Sequence, residues 1–505
     1  MNRRRVLGLT VLLAEALLAA TACRGGGTAT PPPTAVAQGT ILGEVTGAAE
    51  AGAAAPTPVR ATPPGAGPGA EAAPSGPFLL FATSQGGLVV DTLWAVSQDL
   101  SDVRALASDV QIAAPTDWDL SKAISPTGEY LAFLTTTDPN GYRGLALNMM
   151  RLPGGGPKVV TPLTTERTEP VAPLIIDDPN FEVVRAMSEV SSLAWPPDGQ
   201  RLAFIGAMDG PSADLYVYTL ADRSVTRLSD LDVQAIHPTW SPDGRWIVYV
   251  GVGSLGTGAG YDVRGVWAAA ADGSELKLLY EPQSGDEVWV AWTGPDTLML
   301  YSWEASCGPN SLRELTVGAG EVQVVWAANF SDVAADPATG TALITVDQYT
   351  AGCGIGGDMG TFFVDAAGNW TQVDPGDSYR PVWSEAAGAF FALAGDGAVQ
   401  VSTAGEAIQL TSPIRTVPVV SPDRAYWAWA SHLPDESGLY VGPYGETAGM
   451  VTLDPVIFPT WSPDSRRLLF FSDQALFAAA TPDFSITPVI EGLQPVSWPP
   501  IWVTP

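Results

Sequence analysis

The stretch that decides the fold is Trp240-Ser241-Pro242-Asp243-Gly244, followed at once by the apolar run Trp246-Ile247-Val248-Tyr249-Val250. Close copies of the pentapeptide begin at Trp195 and Trp461, and each is again followed by an apolar run. Asp-Gly favours a tight turn, because the Asp side chain can accept a hydrogen bond within the turn and Gly readily adopts positive φ. Each copy is therefore predicted to join two β-strands.

Looser copies of the pattern keep its spacing, and they begin at Ser125, Trp292, Asp336, Trp383 and Ser421. A second apolar run and a third, shorter one follow in most units, which gives four strands per unit. From the copy at Trp195 onward the period is roughly 35 to 52 residues, which is typical of propeller blades. One four-stranded sheet cannot bury both faces alone, but a ring of sheets can. We predict an all-β fold, a single β-propeller of about eight antiparallel blades from a raw tally of nine units.

The two ends of the repeat region complete each other. The C-terminal run from Pro495 to Trp502 has the pattern of an innermost strand with nothing after it. The runs beginning at Phe78, Leu93 and Val103 have the pattern of strands two to four with nothing before them. Pairing of the terminal strands would complete one blade and remove free sheet edges. The long step between the copies at Ser125 and Trp195 carries an insertion, from Leu174 to Ser188.

The repeats resemble the PD40 (WD40-like) repeats of TolB-type propellers over roughly residues 77–505. In that family the pattern implies a structural turn and a Trp that packs between blades. We accordingly interpret the Asp of the repeat as a turn-forming residue rather than a catalytic one. It occurs at Asp198, Asp243, Asp296, Asp423 and Asp464. The resemblance implies a habit of protein binding, but the α/β domain that precedes the TolB propeller has no counterpart here.

The N-terminus has the pattern of an export signal, with Arg3 to Arg5 followed by an apolar stretch and Ala20-Thr21-Ala22-Cys23. This resembles a bacterial lipobox, which implies lipid attachment at Cys23 after removal of residues 1–22. An ordinary signal peptide with a stray cysteine, or an uncleaved anchor, are the alternatives. Residues 24–76 contain nine prolines and no aromatic residue. We expect the segment 23–76 to be a disordered tether, and the propeller to occupy 77–505.

Blade topology places the short Asp-Gly turns on one face and the long loops on the other. The long loops are predicted at 251–264, 304–313, 347–360 and 431–438. Binding residues concentrate on such loops, so we select as a candidate binding face Tyr261, Trp303, Tyr349 and His432. Cys307 and Cys353 fall in equivalent loops of consecutive units, and exported proteins meet oxidising conditions. We predict that they form a disulfide; two free thiols or a metal pair are the alternatives.

The net charge of −30 opposes binding to nucleic acid. The sequence contains no Gly-x-Ser-x-Gly nucleophile motif, and neither histidine, His237 nor His432, has an evident catalytic partner. We predict no cofactor, no metal site and no enzyme. Calcium stays open, because acidic residues occur in the long-loop regions at Asp177, Asp178, Asp262, Asp347 and Asp358.

These features predict a monomeric lipoprotein on the outer side of a bacterial membrane. Its long-loop face would bind a protein or a cell-envelope polymer, with the membrane touched only through the lipid. Two alternatives remain: a propeller that binds or senses a glycan or small molecule, and a hydrolase or lyase with a carboxylate site on the long-loop face.

Overall fold

A computed structural model gives the architecture of the chain. It describes residues 59–60, 76–84, 89–113, 120–137, 143–152, 156–170, 178–188, 192–255, 261–282, 286–292, 294–304, 311–317, 322–327, 332–336, 339, 341–346, 359–365, 369–376, 378–394, 397–410, 414, 416–432, 436–452, 454–496 and 498–504.

The described residues form a β-propeller whose four-stranded antiparallel units, here numbered blades 1 to 9, match the raw tally of nine repeats. The chain begins with β1 (Val59–Arg60), β2 (Phe78–Thr83), β3 (Val89–Ser97) and β4 (Val103–Ala113). Blade 2 follows with α1 (Leu120–Ala123), β5 (Tyr130–Thr135), β6 (Ala146–Arg151) and β7 (Lys158–Pro162). After α2 (Phe181–Ser188), blade 3 holds β8 (Leu193–Ala194), β9 (Arg201–Gly206), β10 (Asp214–Thr219) and β11 (Val225–Arg227).

Blades 4 to 6 follow the same order. Blade 4 holds β12 (Gln234–Trp240), β13 (Trp246–Val252), β14 (Val263–Ala270) and β15 (Leu276–Tyr280). Blade 5 holds β16 (Asp286–Trp292), β17 (Thr297–Glu304), β18 (Ser311–Thr316) and β19 (Val322–Ala327). Blade 6 holds β20 (Asp332–Asp336), β21 (Thr341–Val346), β22 (Gly360–Val364) and β23 (Trp370–Asp374).

The last three blades lead back to the first. Blade 7 holds β24 (Ser378–Ser384), β25 (Ala389–Ala394), β26 (Gly397–Ser402) and β27 (Ala407–Leu410). Blade 8 holds β28 (Val419–Val420), β29 (Tyr426–Ser431), β30 (Gly438–Pro443) and β31 (Gly449–Thr452). Blade 9 holds β32 (Ile457–Trp461), β33 (Arg467–Ser472), β34 (Ala475–Ala480) and β35 (Ser485–Glu491), and β36 (Ile501–Val503) ends the chain.

The predicted pairing of the two ends is confirmed. Strand β36 pairs antiparallel with β2, placing Val503 opposite Phe78 and Ile501 opposite Leu80. It thereby supplies the innermost strand of blade 1, whose other strands are β2 to β4. Sheet hydrogen bonds therefore join the last residues of the chain to the start of the propeller.

Among the described residues, the innermost strand of blade 2 is the shortest of the nine. It is reduced to one bridge between Ile124 and Leu131. This blade has the copy Ser125-Pro126-Thr127-Gly128, in which a Trp does not precede the turn. The copy keeps the turn geometry, since Gly128 has a φ of 70°, but it lacks the side chain that anchors other inner strands.

The Trp of the repeat joins neighbouring blades through a hydrogen bond. In four blades its indole Nε1 donates to a backbone carbonyl at the inner edge of the preceding blade. The pairs are Trp195 to Ala123 (3.2 Å), Trp240 to Ala194 (2.9 Å), Trp292 to Thr239 (3.3 Å) and Trp461 to Val419 (3.2 Å). The Trp therefore combines buried ring area with a directional bond that fixes one blade against the next.

A proline two residues before the repeat Trp marks a bulge in three inner strands. The residues that precede these prolines, His237, Arg380 and Phe458, adopt φ values of 51°, 54° and 53°. The ladder shifts register at each of these places. Strand β16 of blade 5 has no proline and pairs without a shift. The X-Pro dipeptide is thus a sequence signal for the bulge.

Apolar clusters lie between blades rather than at one centre. One cluster runs through blades 2 to 5 and includes Phe204, Tyr249 and Leu300, all buried. Another joins blade 9 to blade 1 through Phe81 and Phe471, whose ring centroids are 5.0 Å apart. In the described part of the chain, apolar clusters therefore join neighbouring blades, as the repeat pattern predicts.

Two residues of the segment expected to lack order belong to a sheet. Strand β1 runs parallel to β35, with Val59 opposite Ile490 and Arg60 opposite Glu491. Blade 9 therefore carries a fifth strand on its outer edge.

Candidate functional site: the two faces of the propeller

The turns between the first and second strands, and between the third and fourth, lie on one face, which we call the turn face. The remaining connections lie on the opposite, long-loop face. Asp243 shows how a repeat turn is built. Its Oδ1 accepts hydrogen bonds from Ser241 Oγ (2.7 Å) and from the backbone N–H of Arg245 (3.1 Å). Burial acts to raise the pKa of Asp243, but these hydrogen bonds outweigh it and hold the pKa below its ordinary value.

The other predicted turn residues lie in the equivalent turns. Asp423 and Asp464 each accept a hydrogen bond from the Ser two residues earlier, at 2.7 and 2.6 Å. Asp198 accepts from the backbone N–H of Gln200 at 2.9 Å. Asp296 instead accepts from the guanidinium of Arg245, in the turn of blade 4, at 2.9 Å. All five carboxylates therefore have a partner within the turn face.

Bonds between neighbouring turns consolidate the turn face. Arg201 Nη2 of blade 3 donates to the carbonyl of Gly244 in blade 4 at 2.9 Å. The backbone N–H of Asp423 in blade 8 donates to Ser465 Oγ in blade 9 at 3.0 Å. Arg467 of blade 9 donates to the carbonyl of Gln98 in blade 1 at 3.1 Å. These contacts join turns that are far apart in sequence.

A second repeated turn, which sequence reasoning missed, lies beside the first. It has the pattern Asp-x-Ser between the third and fourth strands, and the Asp accepts from the Ser backbone N–H. The copies begin at Asp99, Asp222, Asp272 and Asp483. The middle residue has positive φ in every copy, as at Gly273 (77°) and Arg223 (60°). The recurring Asp-x-Ser spacing was the available signal.

A polar cleft of about 390 Å³ opens on the turn face between blades 1 and 9. Hydrogen bonds from Ser97 and Ser101 lower the pKa of Asp99, one of its lining residues, to about 2. Asp102 pairs with Arg104 at 2.6 Å. These carboxylates are engaged by their own turn, and the cleft lies at the junction of two blades.

The long-loop face holds the predicted binding residues that the structure describes. Tyr261 lies in the loop between β13 and β14, half-buried, with its ring centroid 6.3 Å from that of His237. His432 is exposed just after β29. Trp303 belongs to β17 and pairs with Glu287, but its side chain lies outside the described part. The structure therefore brings Tyr261 beside the inner strand of blade 4 and places His432 on blade 8.

Several other predicted positions also lie outside the described residues. They are Tyr349, Cys23, Cys307 and Cys353. The lipid attachment and the disulfide therefore stay predictions. Of the acidic residues considered for calcium, Asp178 accepts from the backbone N–H of Asn180 and Asp262 pairs with Arg264, while Asp177, Asp347 and Asp358 are not described. Over the described ranges, no group of three or more His, Cys, Asp or Glu side chains could hold a metal ion.

The predicted insertion forms a helix on the long-loop face. Val184 and Met187 of α2 are buried in the cluster shared by blades 2 to 5. Glu182 Oε2 accepts a hydrogen bond from the backbone N–H of Leu255, in the loop after β13, at 2.7 Å. The insertion was located from the repeat spacing, but its helix was not predicted, although the apolar pattern of Val183, Val184 and Met187 gave a signal.

A buried ion pair, also missed from sequence, lies at the long-loop end of blade 3. Asp214 is 1% exposed and accepts hydrogen bonds from Arg227 Nη2 (2.6 Å) and Ser229 Oγ (3.0 Å). Burial raises the pKa of Asp214, and the hydrogen bond from Arg227 opposes that rise. The same guanidinium contacts Asp230, whose side chain is 83% exposed, at 2.8 Å. The ion pair therefore joins the start of β10, which carries Asp214, to the end of β11, which carries Arg227.

Comparison with known proteins supplies little about function. No protein-family model matches the chain, so the resemblance to PD40 repeats rests on the motifs quoted above. The uncharacterized peptidase YuxL of Bacillus subtilis is 39% identical over 70 residues, which is 14% of this chain and 10% of that protein. The uncharacterized protein Atu1656 of Agrobacterium fabrum is 29% identical over 113 residues, 22% of this chain and 35% of that protein. The chain thus matches a small part of each relative.

Solved structures resemble the chain in fold alone. A eukaryotic initiation factor is 11% identical, with a TM-score of 0.49, over 85% of this chain and 99% of that one. TolB from Acinetobacter baumannii is 15% identical, with a TM-score of 0.30, over 59% and 62%. The propeller domain of the trilobed protease from Pyrococcus furiosus is 12% identical, with a TM-score of 0.34, over 64% and 95%. Among the helices in the described ranges, none is long and apolar enough to cross a membrane.

Proposed function

We propose that this protein is an exported β-propeller, anchored by a lipid at Cys23, that binds a protein or a cell-envelope polymer through its long-loop face. The observation that carries the proposal is the contrast between the two faces. Bonds between neighbouring blades occupy the turn face, whereas the long-loop face receives the longer connections, the helix α2 and two of the selected residues, Tyr261 and His432.

A binding role has more support than catalysis. Several carboxylates with described partners serve the fold, since Asp243 holds a repeat turn and Asp214 pairs with Arg227. His237 lies at a strand bulge beside Tyr261, a position that fits a structural or recognition role. A peptidase, a lyase or a sugar-binding protein would instead need acid, base or aromatic groups that converge at one place.

The test compares two variants that change charge equally on opposite faces of the mature chain. Asp232→Lys/Glu281→Lys alters exposed positions in the long-loop connections after blades 3 and 4. Glu406→Lys/Glu446→Lys is the matched control on the turn face, where both side chains are exposed. Material solubilised from the native envelope is passed over each immobilised protein.

We expect one partner to bind the wild type and the turn-face control and to bind the long-loop variant less. Equal loss in both variants would indicate non-specific charge attraction, and loss in the control alone would place binding on the turn face. Either result would overturn the assignment of the face.

Lipid attachment is tested separately with Cys23→Ser. The wild type should enter the membrane fraction and incorporate labelled fatty acid, while the variant should do neither. A wild type without fatty acid would refute the anchor and leave the binding test unaffected.

A further inference from the structure

The innermost strand of blade 8 is short. Strand β28 contributes only Val419 and Val420 to the sheet. Closer to the long-loop face, Thr416 reaches β29 through its side chain instead, since its hydroxyl donates to the carbonyl of Ala430 at 3.0 Å. Among the described residues, regular pairing with the innermost strand therefore covers only the turn-face half of β29.

Blade 7 presents exposed apolar side chains to this part of blade 8. Tyr379 of β24 pairs with Leu393, and Val382 pairs with Phe391. Both partners belong to the apolar cluster shared with blade 8. Because paired residues point to the same side of a sheet, Tyr379 and Val382 lie on the side of blade 7 that faces blade 8. They are 40% and 38% exposed.

The equivalent position of blade 4 shows what normally covers such a residue. Ile236 occupies the place of Tyr379, two residues before the proline of the inner strand. It is fully buried, beside the seven-residue strand β16 of the next blade and the helix α2, which contacts β12. In the part of blades 7 and 8 that the structure describes, Tyr379 has neither cover. It therefore forms, with Val382, an exposed apolar wall at the inner end of the junction.

Blade 8 faces the same junction with buried hydrogen-bond donors. Trp429 and Ser431 are two residues apart in β29, so they lie on one side of the sheet, and Trp429 belongs to the cluster shared with blade 7. Both residues are fully buried. Neither the indole Nε1 of Trp429 nor the hydroxyl of Ser431 has a hydrogen-bond partner in the described residues. Buried donors without a partner are unfavourable, so they point to a ligand with acceptor atoms.

The indole of Trp429 is a departure from the repeat. It stacks on Tyr440 with ring centroids 5.7 Å apart. Phe204 and Phe470 make the same stack on the third strand of blades 3 and 9, without a polar atom. Glu436, which has an unpaired carboxylate oxygen, accepts at its carbonyl from the Tyr440 hydroxyl. It therefore lies on the β30 side of the stack, away from the innermost strands.

A cation lies beside the apolar wall. Arg380 is equivalent to Phe458 of blade 9, because both precede the proline of the bulge and have positive φ. Phe458 packs on the cluster shared with the next blade, and the same geometry places Arg380 on the side of β24 that faces blade 8. Its side chain is exposed and has no ion pair or hydrogen bond among the described residues. The guanidinium therefore makes the junction complementary to an anion.

We propose that the junction of blades 7 and 8 binds a small organic acid, a carboxylate with an apolar body. The body lies on Tyr379 and Val382, and the carboxylate oxygens accept from Trp429, Ser431 and Arg380. These three polar groups are all unpaired donors, and a carboxylate supplies acceptors only, whereas an ammonium ligand has none. This site goes beyond the proposed binding of a protein or polymer and depends on neither that partner nor the lipid.

Calorimetric titration tests the site on the full chain carrying Cys23→Ser, which cannot be lipidated at that position. The probes are hexanoate, hexanol and hexylamine, which share one apolar body and differ in the charge of the head group. We expect one hexanoate to bind per chain, and the other two probes to bind at least about tenfold more weakly. No saturable binding of hexanoate below about 10 mM, or equal affinity for hexanol, would overturn the proposal.

Variants that copy other blades assign the binding to this junction. Trp429→Phe introduces the ring that blades 3 and 9 have, and Val382→Thr introduces the residue found at Thr239 and Thr460. Arg380→Gln removes the charge. We expect hexanoate to bind about tenfold more weakly to Trp429→Phe and Arg380→Gln, which each lose a donor to a charged group. Val382→Thr should cost about threefold, because it removes one methyl group from the wall.

Two matched controls change similar residues elsewhere. Arg223 is exposed and has positive φ, as Arg380 has, but it lies on the turn face of blade 3. Ile408 is 58% exposed on β27, the outermost strand of blade 7. Arg223→Gln and Ile408→Thr should bind hexanoate as the wild type does. A loss in either control equal to that in its counterpart would show non-specific attraction and overturn the site.

Urea unfolding without ligand separates a ligand donor from an internal bond. The midpoint of Trp429→Phe should stay close to that of the wild type, because removal of an unpaired buried donor offsets the loss of ring area. A large fall in the midpoint, together with unchanged hexanoate binding, would assign the indole N–H to trapped water within the fold. That result would overturn the role of Trp429 in the site.

Discussion

The bond from the repeat Trp to the preceding blade can be tested by replacing the indole with a phenyl ring. In Trp240→Phe the carbonyl of Ala194 loses its donor at 2.9 Å, which costs about 1 to 2 kcal/mol. The smaller ring buries less apolar area, which costs about 1 kcal/mol. The guanidinium of Arg201 lies 4.7 Å from the Trp240 ring centroid, and its weaker contact with Phe adds about 0.5 kcal/mol. The expected loss is about 3 kcal/mol.

Trp383→Phe is the matched control. Trp383 occupies the same position of the repeat in blade 7 and packs on Phe390 with ring centroids 4.7 Å apart. Among the hydrogen bonds of the described residues, none is donated by its indole. The control should therefore lose only ring area, about 1 kcal/mol.

Urea unfolding followed by far-ultraviolet circular dichroism measures both variants, since the loss of a Trp alters fluorescence directly. The midpoint of Trp240→Phe should fall well below that of Trp383→Phe, with unchanged transition slopes. Amide exchange in β8 should also rise in Trp240→Phe alone. Equal midpoints for the two variants would refute the claim that the indole bond holds neighbouring blades together.

Three further predictions follow from charges and turns. The pKa of Asp99 lies at about 2 instead of 3.8, so its hydrogen bonds stabilise the fold fully above pH 3.8. This contribution is lost as the pH falls from 3.8 through 2. The urea midpoints of the wild type and Asp99→Asn should therefore converge over that pH range. Asp214→Asn should lower the free energy of unfolding by about 3 kcal/mol, because Arg227 loses its buried partner, whereas Asp230→Asn should cost less than about 0.5 kcal/mol in the same assay because that carboxylate is exposed. Gly273→Ala should destabilise by about 1 kcal/mol and Arg223→Gly should stabilise by a few tenths, since both positions have positive φ; thermal midpoints that change in the opposite directions would contradict this explanation.

The repeat units, the turn positions and the pairing of the terminal strands were predictable because their signals are local. A tight turn depends on four or five adjacent residues, and the copy at Trp240 contains all of them. The pairing of the terminal strands followed from counting strands at the two ends, and the structure sets its register by placing Phe78 opposite Val503. The bulges are also encoded locally, by the X-Pro dipeptide before residues such as Thr239. They were not predicted, because the dipeptide alone does not show that it lies within a paired strand.

Contacts between connections could not be predicted, because they depend on the register of segments that the repeat does not relate. Glu182 meets the backbone of Leu255 across 73 positions of sequence, and neither belongs to the repeated pattern. Asp214 and Arg227 occur in one blade only, so that no second copy marked them. The pairing of Val59 with β35 was likewise not predicted, because Pro, Ala and Gly dominate the sequence around it.

The difference between repeated turns and unrepeated connections explains why the turn face is recognisable in the sequence and the long-loop face is not. Turns that bond to their neighbours, as Arg201 does to Gly244, must keep their geometry in blade after blade, because a change in one turn removes the partner of the next. The connection that carries α2 is not part of the repeated pattern, so its length can differ from that of its counterparts without removing a partner from any repeat turn. Selection for the proposed partner would therefore act mainly on the long-loop face.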